Sequence, residues 1–256
     1  GLSVHAIPSR WAGIVAGWPA AAGKFAATHP DSWMIKPDGT PAFADFCGGA
    51  MCSIHDPATY DFFCSTIERM MAAWPLKGIV WDEIKTLTCR DHSKHAVQAL
   101  GRPAQPEDQL RASVDFFSRL NRFIRSKYDD ITLSCFIYAF LPDNIMNACA
   151  GIAELDYFGI DGKCYPENAP NDKTLFGNFE RAAAACAANG VKPLTLIETQ
   201  SLNAQALRKT VEHLPTFLTK PVDHILYYYH GASRDDDQFC MDAMQPLLRT
   251  WRRRND

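Results

Sequence analysis

The chain lacks a long hydrophobic run. Its most apolar stretches, Trp11–Trp18 and Ala182–Ala188, fall far short of the ~20 residues that a membrane-spanning helix needs. It also lacks an excess of either charge. A formal net charge of −3 over 256 residues argues against nucleic acid as the main partner, because phosphate binding wants a basic surface. The one basic run, Arg252–Arg253–Arg254, reads as a solvated helix end. There is no C-x-x-C pair, no H-x-H and no H-E-x-x-H. A zinc ribbon, a thioredoxin-type redox site and a metal-dependent hydrolase barrel therefore find no ligand pattern, and neither metal nor cofactor is expected. The combination of few apolar residues and high net charge that marks disorder is absent as well.

What is present is an ordinary globular composition, 47% hydrophobic and 21% charged. Nine cysteines are scattered without a pairing pattern. Several lie in apolar surroundings, Cys135 in LSCFIYAF and Cys186 in AAAACAA. They read as buried free thiols, which lean towards a reducing compartment such as the cytoplasm.

Short apolar runs alternate with helical patterns along the whole chain. The runs are Leu2–Ile7, Gly78–Trp81, Ile131–Phe140, Leu155–Ile160, Leu194–Ile197 and His224–Tyr229. They are nearly continuous in apolar character, as strands covered on both faces are. Helices are predicted over Pro57–Trp74, Glu107–Lys127, Asp172–Asn189, Asn203–Leu218 and Asp235–Arg252. Asp56 is a good N-cap with Pro57 in the first helical position. Leu110, Val114, Phe117, Leu120 and Ile124 form one apolar stripe, and Gly190 is a left-handed stop. Pro215 and Pro246 are expected to shorten or kink their helices. This rhythm specifies βαβ units and a parallel sheet. Two stretches break it, Arg10–Cys52 and Leu87–Pro106. Connections this long are usually functional or disordered, and the aromatic content of the first favours packing.

Acids follow the strands. Asp82 and Glu83 end the second run, Asp161 follows the fourth and Glu198 ends the fifth. In parallel α/β folds the catalytic face lies at the C-terminal ends of the strands. A single acid there is as well read as a helix cap or an ion-pair partner. Several together must be solvated or used. Two carboxylates on facing strands suit cleavage of a glycosidic bond, one protonating the leaving oxygen and the other attacking the anomeric carbon or activating water.

GIVWDEIK and LTLIETQ resemble the (β/α)8-barrel glycoside hydrolases sometimes grouped as clan A. There the acid/base is a Glu after an Asn at the end of the fourth strand, and the nucleophile is a Glu ending the seventh. The resemblance implies Glu83 as acid/base and Glu198 as nucleophile. LDYFGIDGKCY is similar to the sixth strand of those enzymes, GLSVHAIPSRW to the third and ILYYYHG to the eighth. The expected fold is thus a single TIM-type α/β barrel domain over residues 1–256, incomplete at its N-terminus, with strands three to eight present and the first two βα units missing. The family Asn is Asp82 here. A second negative charge beside Glu83 favours protonation of one of the two, which suits a general acid. It also opens a second reading, similar to the α-galactosidase and amylase barrels, with Asp82 as nucleophile and Asp161 as acid. A third is a carbohydrate-binding barrel without catalysis. His5, Arg10, Trp11, Trp33, Lys163, Tyr165 and Tyr229 are candidates for contacting the sugar, the aromatic rings by stacking and the others by orienting hydroxyls. Core packing is an alternative for each ring. Lys85 and Lys163 have two further readings, as ion-pair partners or as Schiff-base lysines. The expected partner is a carbohydrate. The oligomeric state stays open.

Overall fold

A computed structural model of the chain describes residues 3–8, 14–15, 21–43, 49–82, 84–87, 89–166, 174–199, 202–227 and 234–255. The strands are β1 (Val4–Ala6), β2 (Ile14–Val15), β3 (Ala21–Ala22), β4 (Leu76–Asp82), β5 (Thr132–Tyr138), β6 (Tyr157–Gly162), β7 (Lys192–Ile197) and β8 (His224–Tyr227). The helices are α1 (Lys24–Thr28), α2 (Pro57–Ala73), α3 (Lys94–Leu100), α4 (Pro106–Lys127), α5 (Asp143–Ala150), α6 (Asn178–Asn189), α7 (Ala204–Phe217) and α8 (Arg234–Asn255). The fold is α/β. Six parallel strands form one sheet in the order β1-β4-β5-β6-β7-β8, and β2 and β3 make a separate antiparallel pair. Sequence order preserved across a parallel sheet is the strand order of a (β/α)8 barrel. The six strands correspond to the six apolar runs expected for an incomplete one. Among the described residues no helix is long and apolar enough to cross a membrane.

The chain divides into two compact units. One comprises Gly1–Cys135 with Gly151–Asp156, the other Phe136–Ala150 with Tyr157–Asp256.

In the first unit the expected cap is realised: the Asp56 side chain accepts from the Ala58 N–H at 3.0 Å, with Pro57 behind it. α2 and α4 cover one face of β4. Trp81 packs edge-on against Phe63 of α2 and Phe117 of α4, with ring centroids 6.4 and 5.2 Å away. Its indole N–H donates to Asn121 Oδ1 at 2.8 Å, and Asn121 Nδ2 donates to the Ala153 carbonyl at 2.8 Å. The buried face of α4 is rotated from the predicted stripe. Gln109, Ser113 and Phe116 are buried, while Leu110 and Val114 are only half-buried. The reason is polar. Gln109 donates to the Thr86 carbonyl at 2.8 Å and accepts the Asp91 N–H at 3.0 Å, and Ser113 shares a 2.7 Å hydrogen bond with the Thr86 hydroxyl.

The two stretches that broke the rhythm are strapped together in this unit. His92 N–H donates to the Ile35 carbonyl at 2.8 Å, and Ser93 Oγ lies 3.2 Å from Ser53 Oγ. Cys89 packs on Met34, Ala42 and Met51. Beneath this strap sits a polar knot. Asp91 Oδ2 and the Nε2 atoms of His55 and His95 are buried and make no hydrogen bond among the described residues, and His95 Nε2 lies 3.7 Å from Asp56 Oδ2.

In the second unit, β6, β7 and β8 pair in parallel, with Asp161 opposite Leu196 and Leu196 opposite Leu226. α6 ends on Gly190 at φ +70°, as predicted, but begins at Asn178, later than the sequence pattern suggested. Pro215 and Pro246 lie inside α7 and α8, which run on past them to Phe217 and Asn255, so Pro246 does not shorten its helix and Pro215 falls in the last turn of its own. Cys149, Cys164 and Cys186 are free and buried, and burial pushes each thiol up to about 12.

Two outcomes follow for stability. Asn121→Ala leaves the buried Trp81 indole N–H unpaired, at about 1–3 kcal/mol, and removes the donor to the half-buried Ala153 carbonyl, read by chemical denaturation. Burial, opposed by Asp91 and Asp108 and reinforced by His95, holds the His55 imidazole below its ordinary value. The unfolded chain therefore binds the proton more readily, and His55 contributes stability that is present above about pH 6.5 and is lost as the pH falls. His55→Gln should flatten the acid side of the stability–pH curve between about pH 5 and 7. An unchanged curve contradicts the assignment.

Candidate active site

The C-terminal end of β4 is fixed from both sides in the first unit. Side chains alternate along a strand, so Trp81 facing α2 and α4 sends Gly78, Val80 and Asp82 to the opposite face. His5 shares that face. It pairs with Gly78 in the β1–β4 register, and a Cβ on Gly78 would fall 2.3 Å from the His5 ring. The imidazole fills the volume the glycine leaves, and burial lowers its pKa. Asp82 is buried, with both carboxyl oxygens shielded from solvent. The turn after it is pinned by Gln109 and Ser113 through Thr86. Glu83 lies outside the described residues, as do Arg10, Trp11, Tyr229 and the side chain of Lys85. Trp33 is half-buried within the long first connection. Its indole N–H donates to the Ala26 carbonyl at 2.7 Å, and its ring meets Phe43 edge-on at 5.6 Å.

In the second unit the ladder between β6 and β7 brings three predicted residues together. Asp161 lies opposite Leu196 and Gly162 opposite Ile197. The Glu198 N–H donates to the Gly162 carbonyl at 2.9 Å, which closes this last pair. Lys163 and Glu198 are the residues that directly follow it on the two strands, and Lys163 itself bridges Thr174. The two-residue alternation places Asp161, Lys163, Leu196 and Glu198 on one face. One oxygen of Asp161 and one of Glu198 are shielded from solvent. Tyr165 is buried, its carbonyl accepting from the Thr174 hydroxyl at 2.6 Å. The Nζ atoms of Lys163 and Lys209 lie 5.9 and 5.6 Å from the Tyr165 ring centroid. Lys209 was not singled out from the sequence. It is one charged residue on the exposed face of α7, and no motif marks it. Among the described residues, no group of three His, Cys, Asp or Glu is placed to hold a metal ion.

β6 approaches β7 at Gly159 more closely than any other residue could. A Cβ there would fall 1.8 Å from the Leu194 carbonyl oxygen. This contact sets the height of Asp161 relative to Glu198.

No family profile and no curated protein sequence matches the chain. Solved structures do resemble it. The glycoside hydrolase domain of PelA from Pseudomonas aeruginosa superposes with a TM-score of 0.50 at 11% identity, over 88% of this chain and 77% of that one. A putative vitamin-B12-independent methionine synthase from Listeria monocytogenes gives 0.42 at 13% identity, over 76% of this chain and 53% of that one. The α-galactosidase from Lactobacillus brevis gives 0.45 at 10% identity, over 98% and 30%. The chain thus spans about half of the second protein and under a third of the third. At these identities the first likeness shows a shared fold, and the other two carry no argument.

The glycine contact has a measurable consequence. Gly159→Ala should destabilise the protein by at least about 3 kcal/mol, the upper range of overpacking, because the obstacle is backbone and cannot rotate away. Unfolding in urea that matches the parent chain would remove the contact from the account.

Proposed function

We propose that this chain is a glycoside hydrolase that cleaves a carbohydrate with Glu83 as acid/base and Glu198 as nucleophile, retaining the anomeric configuration. The observation that carries the reading is the placement of acids at the C-terminal ends of parallel strands. Asp82 closes β4, Asp161 lies near the end of β6 and Glu198 directly follows β7. In this chemistry Glu198 attacks the anomeric carbon while Glu83 gives its proton to the leaving oxygen. The bond to the leaving group breaks and a glycosyl ester forms. Glu83 then takes a proton from water, which displaces Glu198 and regenerates both groups. His5, Arg10, Trp11, Trp33, Lys163, Tyr165 and Tyr229 are proposed to surround the sugar. The fold shared with a glycoside hydrolase domain agrees with this reading, although barrels of this kind host many chemistries.

A second reading takes Asp82 as nucleophile and Asp161 as acid. It draws support from their position inside the strands, both buried. A panel of aryl glycosides separates the two. Glu83→Gln should cost about 10²–10⁴-fold in rate, and Glu198→Ala at least as much. Undiminished hydrolysis in both, with loss in Asp82→Asn and Asp161→Asn, moves the chemistry to the aspartates. Carbohydrate affinity with no turnover in the parent chain replaces both readings with a binding role.

A further inference from the structure

We propose that Lys163 is a positioning residue for Glu198, the fixed cation that holds this carboxylate in its charged form. The inference rests on the assignment of Glu198 as nucleophile for its functional meaning, though not for its geometry. The β6–β7 pairing ends at Gly162 and Ile197, closed by the bond from Glu198 N–H to the Gly162 carbonyl, and Lys163 and Glu198 are the next residues beyond it on the two strands. The backbone of Lys163 is held from its other side too. Its carbonyl accepts from the Leu175 N–H at 2.9 Å and from the Thr174 hydroxyl at 3.4 Å. Its side chain is half-buried, with Nζ near the Tyr165 ring. An ammonium at this distance from an aromatic ring is weakly attracted to it.

The charge matters because Glu198 keeps one oxygen shielded from solvent. An opposite charge within about 4–6 Å favours the ionised form of a carboxylate, and water screens the attraction less where a group is shielded. A glycosidase nucleophile must be ionised to attack. Asp161 on the same face pushes the other way, as a like charge two residues along β6. From α7, Lys209 adds a second ammonium beside Tyr165. Of the two ammonium groups Lys163 is the one that directly follows the last β6–β7 pair, as Glu198 does on β7, so its loss should move the carboxylate most.

The test is a carboxyl-carbon NMR titration of the full chain with labelled glutamate, Glu198 assigned through Glu198→Gln. Lys163→Met should raise the Glu198 midpoint by about one unit or more, a tenfold gain in proton affinity, and Lys163→Arg should restore it. The acid limb of the rate–pH profile on the aryl glycoside panel should move by the same amount. A Glu198 midpoint that stays put in a folded Lys163→Met protein overturns the proposal, even if activity falls. A midpoint that moves in a chain that hydrolyses no glycoside upholds the pairing and overturns the hydrolase reading instead.

Discussion

In a parallel ladder neighbouring strands run in one direction, so residues that end one strand and residues that end the next meet at the same edge. This constraint organises the β6–β7 pair. Asp161, Lys163 and Glu198 share a face because of the pairing of Asp161 with Leu196 and the extra bond from Glu198 to Gly162. A register slip of one residue on β6 would turn Asp161 and Lys163 away from the face that Glu198 occupies. Gly159 prevents such a slip. Its hydrogen takes the only space the Leu194 carbonyl leaves, and every other residue type would force the strands apart at that rung.

The same alternation operates on β4, with a different anchor. There the aromatic side decides. Trp81 wedged between Phe63 and Phe117, its N–H tied to Asn121, fixes which face of the strand looks to the helices. Asp82 is committed to the other face by being next in sequence. Burying a tryptophan contributes a few kcal/mol, more than a solvated aspartate would gain by turning outwards. The acid is therefore held at the end of β4 by the packing of its neighbour. Gly78 and His5 complete this face, the ring occupying what the glycine leaves open.

Much of this was legible in the residues. The six strands, the Asp56 cap and the Gly190 stop each carry a local signal: an apolar run, a short polar side chain before proline, a residue tolerant of positive φ. The short helices α1, α3 and α5 were not expected, although α3 carries a Ser93 cap and a Gly101 stop at φ +70°. α1 and α3 lie within the two irregular stretches, and α5 is a short crossover between β5 and β6; short helices take their stability from tertiary packing. The rotation of α4 shows the limit of reading periodicity. Leu110 and Val114 fit the apolar stripe, yet Gln109 and Ser113 are buried, because the turn after β4 brings the Thr86 hydroxyl and carbonyl and the Asp91 N–H to that face. Hydropathy gives such residues no inward preference. Their burial follows from the partner, and the partner comes from a connection that one sequence does not fold.

The long connections and the acids are linked through that same turn. The segment after Asp82 is held by Gln109 and Ser113, and a few residues on it enters the strap formed by Ile35, Asp91 and Ser93. Asp91 Oδ1 accepts from the Ser93 N–H at 2.8 Å and from the Ile35 N–H at 3.4 Å, so one wholly buried carboxylate caps both stretches. A buried charge costs free energy unless it is well supplied with donors. Its second oxygen, Oδ2, makes no hydrogen bond among the described residues. That is a debt held inside the connection that follows the candidate acid/base, where opening the two connections would relieve it. The segment carrying the β4 acids is thus tied at Thr86 and again at Asp91.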